Sequence, residues 1–301
     1  MNGKLLKELN NTHIVLIPKI HNTTSVNHFR PISLCNVVYK AITKILVAKL
    51  RTVLDRIISP CQLAFIPGRW IGENQVITKE LMHSFKTRKV KGGFVAMKVD
   101  LQKAYDRINW SFLKTVLSQL GFPHLFVEWI MQCVTTVSSS ILVNGGKTEQ
   151  FHPSRELRQG DPLSSYLFII CQEVLSRLIE KKLALGNISG VRMNVSGQII
   201  THVMFADDLM LFAKANRREV EALNDCIETY CLWSGQKVNR EKSGLIFSKL
   251  VQNDTKRWIK GELQMKSLPI DSFYLGTPVF SSKSKSKDFK FLIEKLDARL
   301  K

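Results

Sequence analysis

The sequence lacks the features that mark membrane and secreted proteins. None of its 301 residues belongs to an apolar run that approaches about 18 residues, which excludes a membrane-spanning helix. The first residues lack the apolar core and cleavage site of a signal peptide. These absences predict an intracellular protein with no membrane association. A strand-like segment begins almost at once, at residue 13, as though the chain were part of a longer protein.

Cysteine and histidine are present without the spacing of a metal site. The six cysteines, at positions 35, 61, 133, 171, 226 and 231, contain no C-x-x-C pair, and the seven histidines are scattered. Most of the cysteines lie in apolar, helix-like stretches. This distribution argues against a zinc site or a disulfide framework and predicts reduced thiols in the core.

Acidic residues are scarce relative to basic ones. The chain has 25 Asp and Glu against 44 Lys and Arg, a formal charge of +19. Such a surplus favours a polyanionic partner, with nucleic acid ahead of an anionic membrane surface. The alternative is that the charge serves solubility alone, which usually needs far less of it.

The order of the predicted elements indicates an α+β fold around an antiparallel sheet, because strands and helices alternate irregularly and several hairpins occur. Strands are predicted at 13–19, 94–100 and 244–248, with hairpins at 140–147, 202–212 and 273–279. Helices are predicted over 37–50, 72–89, 110–120, 123–134, 162–185, 217–233 and 288–301, and a linker over 281–287. Asn109 is the expected N-cap of the helix that follows it. Asp161 is the expected N-cap of the 162–185 helix, with Pro162 at its first position, and Gly121 and Gly186 are the expected helix ends.

Two adjacent carboxylates interrupt an apolar segment. Asp207 and Asp208 lie in the middle of residues 202–212, where an unpaired buried carboxylate would cost several kcal/mol. The β-prone flanks predict two short antiparallel strands with both residues at or beside the tight turn. Such a turn can hold Mg²⁺, which prefers oxygen ligands. An ordinary Asp-Asp turn is the simpler alternative.

A third carboxylate, Asp100, ends the strand at 94–100. If this strand pairs with the hairpin, three like charges meet, and a metal would have to neutralise them. Two metal ions at about 3.5–4 Å separation can promote phosphoryl transfer. A strand-end turn residue is the alternative for Asp100 by itself.

A series of motifs is similar to those of one family. The segments are FRPISL (29–34), QLAFIPGR (62–69), VDLQKAYD (99–106), RQGDPLS (158–164), FADD (205–208), WSGQKVNREKS (233–243) and YLG (274–276). From about residue 13 to 280, in the same order, the chain resembles the reverse transcriptase domain of non-LTR (LINE-type) retrotransposons, and most of all the plant elements. Each motif is weak alone, but seven in order are highly specific.

The resemblance implies the architecture of a right-hand polymerase. Residues 1–280 would form the fingers and palm, with the fingers mainly in 1–93 and the palm mainly in 94–280, and a fingers-side insertion near 110–155. Residues 281–301 would be the linker and the start of a truncated thumb helix. Because the thumb grips duplex product, we expect weak primer-template binding and few additions per encounter.

The resemblance also implies a role for each site residue in RNA-directed DNA synthesis. Asp100, Asp207 and Asp208 would be the catalytic residues and would ligate two Mg²⁺ ions, for which Mn²⁺ could substitute. The dNTP would contact Arg69, Tyr105, Gln159, Gly160 and Lys242. The RNA template and the DNA primer, or the RNA-DNA duplex, would contact Arg30, Arg158, Tyr274, Leu275 and Gly276.

For some residues a structural role competes with these implied roles. Tyr105 would lie under the sugar and exclude a 2′-hydroxyl, or it packs in the core. Lys242 would act on the leaving pyrophosphate, or it is a surface charge. Asp106 is expected to be a cap or turn residue. The implied location is nuclear, and nothing in the sequence indicates an oligomer.

The sequence departs from the family pattern at four positions. Phe205 stands where many members have Tyr, Ala64 where Gly is commoner and Ser165 where Pro is frequent. Glu156 places a negative charge near the expected nucleic-acid path. Two alternatives stay open: a non-catalytic RNA-binding remnant of the same fold, and a maturase-like protein, which the Arg30-Pro31-Ile32 motif fits less well.

Overall fold

The structure, a computed structural model, describes residues 4–192, 197–269, 272–280 and 285–300. The helices are α1 (Val37–Arg51), α2 (Leu54–Ile57), α3 (Ile71–Thr87), α4 (Trp110–Gln119), α5 (His124–Thr135), α6 (Ser164–Ala184), α7 (Arg217–Ser234), α8 (Asn253–Leu263) and α9 (Lys285–Leu300). Short 3₁₀ helices cover Lys7–Asn10, Val26–His28 and Ala104–Arg107.

The strands form two larger sheets and two short pairs. They are β1 (Asn11–Pro18), β2 (Phe29–Cys35), β3 (Phe94–Val99), β4 (Ser138–Val143), β5 (Gly146–Lys147), β6 (Val191–Arg192), β7 (Ile199–Ile200), β8 (His202–Phe205), β9 (Asp208–Lys214), β10 (Gly244–Phe247), β11 (Lys266–Ser267), β12 (Phe273–Tyr274) and β13 (Thr277–Pro278). The central sheet has the order β11-β10-β3-β9-β8 and is antiparallel except for β10–β11. The second sheet has the order β2-β1-β4-β5, with β1 and β4 parallel.

The central sheet is buried on both faces, because alternate residues of its strands belong to two different cores. Val95, Met97 and Val99 of β3 pack into the larger core, to which the central helices α4, α6 and α7 contribute. Phe94 and Ala96 face a smaller core formed with α3 and with Tyr274 of β12. The predicted α+β class with an antiparallel sheet is confirmed.

Local signals in the sequence placed several elements correctly. The Asn109 side chain accepts a hydrogen bond from Ser111 N at 2.8 Å and caps α4, and Gly121 follows that helix with a φ of +83°. Asn144 and Gly145 form the turn between β4 and β5, with φ values of +50° and +80°. These positive φ angles are those that a tight hairpin turn requires.

Other predictions differ from the structure in their bounds or their partners. Helix α6 begins at Ser164, two residues after its predicted first position, Pro162. The Asp161 carboxylate accepts a hydrogen bond from Leu163 N at 3.0 Å, as expected of an N-cap, and it also accepts one from the Tyr39 hydroxyl. Helix α9 begins at Lys285, within the predicted linker, and the rest of that linker, 281–284, lies outside the described residues. Helix α8 was not predicted, because its charged sequence has few apolar residues.

The exposed face of α1 carries apolar residues together with basic ones. Val37, Val38 and Ile45 are exposed, although they are apolar residues of a predicted helix.

All six cysteines are free thiols, as predicted, and four of them are buried.

Among the described helices none combines the length and apolar character that crossing a membrane demands.

Candidate active site

The turn between β8 and β9 presents the adjacent carboxylates at the end of the central sheet. Phe205 and Asp208 are paired across the hairpin, so Ala206 and Asp207 form its tip, and Ala206 has a φ of +51°. The buried Gln62 side chain accepts a hydrogen bond from Ala206 N at 3.1 Å. The Gln62 side chain also donates a hydrogen bond to Gln172 Oε1, so buried side chains hold the turn in place.

Asp100 reaches the same end of the sheet from the neighbouring strand. In the antiparallel register of β3 and β9, Val99 is opposite Leu209, so the next residue, Asp100, is opposite Asp208. Opposite residues of an antiparallel pair place their side chains on the same face. The Ser243 hydroxyl accepts a hydrogen bond from Asp100 N at 3.0 Å, and Asn239 N donates to Asp100 O at 2.8 Å.

Burial and the repulsion between the carboxylates both raise the pKa values of Asp100 and Asp208. Burial raises the pKa of Asp100 above its ordinary value, and the charge of Asp207 raises it further. Burial also raises the pKa of Asp208, with additional contributions from Asp207 and Asp100. Lys98 opposes the rise in both pKa values, and Lys242 opposes it at Asp100. The three carboxylates therefore interact, as the predicted pairing of their strands requires.

The donor set fits a hard divalent cation. Carboxylate oxygens that are partly buried and repel one another gain most from a cation such as Mg²⁺, which keeps several waters. In the parts of the chain that the structure describes, no group of three or more His, Cys, Asp and Glu side chains forms a ready-made metal cage. The fit thus rests on the chemistry and placement of Asp100, Asp207 and Asp208.

A cleft of about 1120 Å³ joins the carboxylates to other predicted site residues. Among the residues that line it are Arg30, Asp100, Tyr105, Arg158, Gln159, Gly160, Asp207 and Lys242. Six basic and three acidic side chains line this cleft, so its balance of charge favours anions. Asp208, Arg69, Tyr274, Leu275 and Gly276 are not part of its lining.

Tyr105 is both a wall of the cleft and a packed ring. It lies in the 3₁₀ helix Ala104–Arg107 and stacks on Phe168 of α6, with ring centroids 4.7 Å apart and planes 14° apart. Burial raises the pKa of the Tyr105 hydroxyl, and the charge of Asp207 adds to the rise. The two roles considered for Tyr105 are therefore compatible, since one face packs while the residue borders the cleft.

Arg158 occupies a buried position and its guanidinium is fully engaged within the protein. It donates to Asn10 Oδ1 at 2.7 Å, to Thr12 Oγ1 at 2.9 Å and to Cys133 O at 3.1 Å, and it also bonds the Tyr39 hydroxyl. Its ion pair with Asp161, at 3.4 Å, is equally buried. Arg158 thus joins the 158–161 loop to β1 and α1, and these contacts leave its predicted role toward template or primer a prediction.

Arg69 lies outside the lining of the cleft and stabilises its own loop. Its guanidinium donates to Ser59 O and Gln62 O, both at 2.7 Å, and pairs with Asp55 at 2.9 Å. The side chain is 13% exposed. The guanidinium of Arg69 therefore donates its hydrogen bonds to carbonyl groups of its own loop. Its contact with a triphosphate stays a prediction.

The β12–β13 hairpin lies near the turn between β8 and β9. Leu275 and Gly276 form its tip with φ values of +49° and +75°. The buried Tyr274 hydroxyl approaches Asp208 O at 3.5 Å, and Gln75 Nε2 donates to Leu275 O at 2.7 Å. The segment predicted to contact the primer is thus close to the backbone of Asp208 and is fixed at its tip by α3.

Comparison with known proteins agrees with this geometry. A family model described as reverse transcriptase (RNA-dependent DNA polymerase) matches residues 17–293. The chain belongs to the reverse transcriptase family. Members of this family generally use divalent metal ions, in agreement with the carboxylate donors of this chain.

Its relatives include proteins of retrotransposons that lack long terminal repeats. The Pol polyprotein of the type-2 retrotransposable element R2DM of Drosophila melanogaster is 28% identical over 293 residues, or 96% of this chain and 25% of that protein. A 149 kDa protein of transposon TX1 of Xenopus laevis is 27% identical over 241 residues, or 80% of this chain and 18% of that protein. The chain therefore spans a quarter or less of the length of these relatives.

Solved structures show the same polymerase fold. Telomerase from Candida tropicalis, in complex with a fragment of telomeric RNA, matches with a TM-score of 0.60 and 14% identity over 95% of this chain and 46% of that chain. At such identity the likeness concerns the fold. The predicted relationship to LINE-type reverse transcriptases is confirmed by the sequence relatives.

Gly160 of this reverse transcriptase allows a close approach, but to the protein's own backbone. It has a φ of +109°, and a Cβ at this position would lie 2.7 Å from Ser33 O of β2. The neighbouring Gln159 O accepts a hydrogen bond from Ser33 N at 2.7 Å. The resemblance implies that Gly160 contacts the dNTP, and the structure shows that its packing against β2 also requires a glycine.

Replacement of Gly160 by alanine is expected to lower the free energy of unfolding by more than the about 1–3 kcal/mol that backbone strain alone costs, because the Cβ also collides with Ser33 O. Gly121→Ala is the matched control, since Gly121 has a φ of +83° and no atom within 4 Å of its Cβ position. Urea unfolding of both variants measures the difference. Equal losses of unfolding free energy in the two variants would contradict the prediction, because β2 would then have moved to accommodate the added methyl group.

Glu156 lies beside Asp106 in a partly buried site behind the cleft. Burial raises its pKa from 4.5 to about 7, the charge of Asp106 contributes to the rise, and Arg158 opposes it. Trp110 Nε1 donates to Glu156 O at 2.8 Å and fixes this segment. The concern that Glu156 repels nucleic acid is reduced, because near neutral pH a part of its population is uncharged.

The raised pKa of Glu156 predicts a pH-dependent effect of Glu156→Gln. A carboxyl with a pKa that folding raises contributes stability below its unfolded value and loses this contribution as the pH rises through about 7. The variant should equal the wild type near pH 4.5. Well above pH 7 it should be more stable by about 1–3 kcal/mol. Unfolding measured across this range, with the exposed Glu149→Gln as control, tests the prediction. A difference that does not depend on pH would contradict it.

Several residues that build the site were not found by sequence reasoning. Gln62 and Ser243 hold the backbone of the catalytic segments, and Gln75 holds the β12–β13 hairpin. Gln62 and Ser243 belong to two of the motifs, but the resemblance assigned neither of them a role, and Gln75 lies outside the motifs. Lys98 could have been found from the sequence, because it lies two residues before Asp100 and therefore on the same face of β3.

Proposed function

We propose that this chain catalyses RNA-directed DNA synthesis, in which a primer 3′-hydroxyl attacks a dNTP while an RNA template selects the base. The observation that carries the proposal is the register of β3 and β9, which sets Asp100 opposite Asp208 and beside Asp207. Two of these carboxylates border one cleft together with Tyr105, Gln159 and Lys242. The membership of the chain in the reverse transcriptase family supports the same reaction.

Asp100, Asp207 and Asp208 would hold two Mg²⁺ ions, and Mn²⁺ could replace them. When bound, such ions promote attack by the hydroxyl and stabilise the charge of the leaving pyrophosphate. The carboxylates contribute a rigid set of oxygen donors, because the hairpin and β3 fix their backbones by hydrogen bonds. They also repel one another, and this repulsion strengthens the binding of a cation between them.

Other residues of the cleft would bind and orient the nucleotide. The Tyr105 ring, held flat against Phe168, borders the cleft. There it would lie under the sugar of the nucleotide and exclude a ribose 2′-hydroxyl. Lys242 is close enough to Asp100 to lower the pKa of that carboxyl, and so it could also neutralise or protonate the leaving pyrophosphate. Gln159 hydrogen-bonds the Asp106 carboxylate, which orients the amide at the edge of the cleft.

The basic lining of the cleft would bind the template and the primer. Lys19, Arg30, Lys103 and Arg107 accompany Lys242 along it, and phosphate oxygens are their natural partners. The similar telomerase from Candida tropicalis was solved with a fragment of telomeric RNA, which fits an RNA partner for this fold. Contact of Tyr274, Leu275 and Gly276 with the primer, and of Arg69 with the dNTP, belongs to the same proposal.

The relatives suggest that the whole protein serves copying of a LINE-type retroelement into DNA. The R2DM and TX1 proteins are products of a retrotransposable element and of a transposon, and the resemblance to LINE-type elements implies a nuclear location. We extend both the element type and the nuclear location to this chain as part of the proposal.

Extension of a DNA primer on an RNA template by the purified chain tests the proposal. We expect single-nucleotide addition with Mg²⁺, restoration by Mn²⁺ after chelation, and strong preference for dNTPs over rNTPs. Binding of RNA without any extension would instead support a non-catalytic RNA-binding protein.

A further inference from the structure

Lys98 is a charged residue between the carboxylates and the β12–β13 hairpin. It belongs to β3, where its cross-strand neighbours are Met210 of β9 and Gly244 of β10. Residues 98 and 100 of a strand share a face, so the lysine side chain lies on the side of the sheet that bears Asp100 and Asp208. The same face carries the smaller core, which includes Tyr274 of the hairpin.

The ammonium group of Lys98 contacts the hairpin. Its Nζ donates to Phe273 O at 2.9 Å. The side chain shares its face of the sheet with Asp100 and Asp208. A single side chain therefore reaches from a central strand to the hairpin on the side of the sheet that bears two of the carboxylates.

Among the residues that the structure describes, the other hydrogen bonds from the hairpin to the rest of the protein are neutral. Gln75 holds the tip through Leu275 O at 2.7 Å, and the Tyr274 hydroxyl makes only a long contact of 3.5 Å with Asp208 O. Apolar packing adds to them, since Tyr274 lies in the smaller core and Phe273 contacts the ring of Phe291. The bond from Lys98 to β12 is charge-assisted, and hydrogen bonds of this kind are roughly twice as strong as neutral ones.

We propose that Lys98 is a positioning residue that holds the β12–β13 hairpin at a fixed distance from Asp100 and Asp208, and thereby aligns the primer 3′ end. This inference rests on the proposed function, in which the hairpin contacts the primer. Lys98 acts through Phe273 and need not touch the substrate. A methionine at position 98 would keep the length of the side chain and lose its donor, whereas an arginine would keep both charge and donor.

The experiment compares Lys98→Met, Lys98→Arg and the control Lys266→Met in the full chain. Lys266 is an exposed lysine of β11 in the same sheet and makes no described contact with the hairpin. Hydrogen exchange of the amides of residues 273–279 reports on the hairpin, and single-nucleotide primer extension reports kcat and the KM for dNTP. Thermal unfolding confirms that the variants are folded.

Lys98→Met should raise the hydrogen-exchange rates of the hairpin amides about tenfold and should lower kcat about tenfold. Loss of one charge-assisted hydrogen bond predicts changes of this order. The KM for dNTP should stay within about twofold because the nucleotide contacts are untouched. Lys98→Arg should restore most of both losses, and Lys266→Met should resemble the wild type.

Unchanged exchange of the hairpin in Lys98→Met would overturn the proposal. A fall in kcat without any change in exchange would also overturn it, since Lys98 would then act by charge on the carboxylates. If the wild-type chain fails to extend a primer, the proposed function fails. The exchange experiment would still decide whether Lys98 holds the hairpin.

Discussion

Replacement of Asp207 by asparagine is expected to reduce primer extension on RNA by about a hundredfold to a thousandfold, the loss that follows when one group that organises transition-state charge is removed. Asparagine has the same shape but half the oxygen donors and no charge. Asp207 is exposed at the tip of a hairpin, so the fold should tolerate the change. Single-turnover extension at saturating dNTP measures the effect.

Asp225→Asn provides a matched control for the same chemical change. Asp225 pairs with Lys182 at 2.7 Å, its side chain is 60% exposed, and surface pairs of this kind contribute little. Its extension rate should equal that of the wild type. The affinity of Asp207→Asn for RNA should be unchanged or slightly higher, because a negative charge has been removed. A rate for Asp207→Asn close to that of the wild type would contradict the assignment of this residue.

Replacement of Arg158 by methionine is expected to lower the free energy of unfolding by about 3–5 kcal/mol, the cost of leaving one member of a buried ion pair without its partner. Asp161 would keep its charge in a buried site, and Asn10 and Thr12 would lose a donor. Urea unfolding monitored by circular dichroism measures the loss. Arg158→Lys should recover only part of it, because an ammonium cannot reproduce the arginine fork.

The control for Arg158 is Arg257→Met, which breaks an exposed pair with Asp254. Both side chains of that pair are at least 80% exposed, so the expected loss is within about 1 kcal/mol. The alternative for Arg158 is the role in template or primer binding that the sequence resemblance implied. A small loss of stability with a large loss of primer-template affinity would establish that alternative.

The departures from the family pattern leave the carboxylates intact. Ala64 is fully buried and is not among the residues with positive φ, so a side chain is tolerated where relatives have glycine. Phe205 pairs with Asp208 across the hairpin without contributing a hydroxyl. Ser165 lines the cleft near the start of α6, where proline is common in the family.

Much of the architecture could be predicted because its signals are local. The β-prone apolar flanks of Asp207 and Asp208 predicted the β8–β9 hairpin, and Asn109 and Gly121 predicted the limits of α4, since the hydrogen bonds and φ angles involved lie within a few residues. The bond from Leu163 N to the Asp161 carboxylate is local in the same way and was expected of an N-cap. The bond from the Tyr39 hydroxyl of α1 to the same carboxylate could not be predicted, because Tyr39 is 122 residues away in the sequence.

The sequence by itself determined the α+β class, the reverse transcriptase family and the convergence of Asp100 with Asp207 and Asp208, because motif order and strand periodicity are properties of the chain alone. Only the tertiary structure decided that Arg158 and Arg69 are engaged in bracing, that Gly160 packs against β2, and that Lys98 contacts the β12–β13 hairpin. Each of these depends on which distant segment lies opposite a side chain. A guanidinium binds whichever acceptors the fold supplies, and its identity alone does not say whether these are phosphates or the protein's own carbonyl and carboxylate groups.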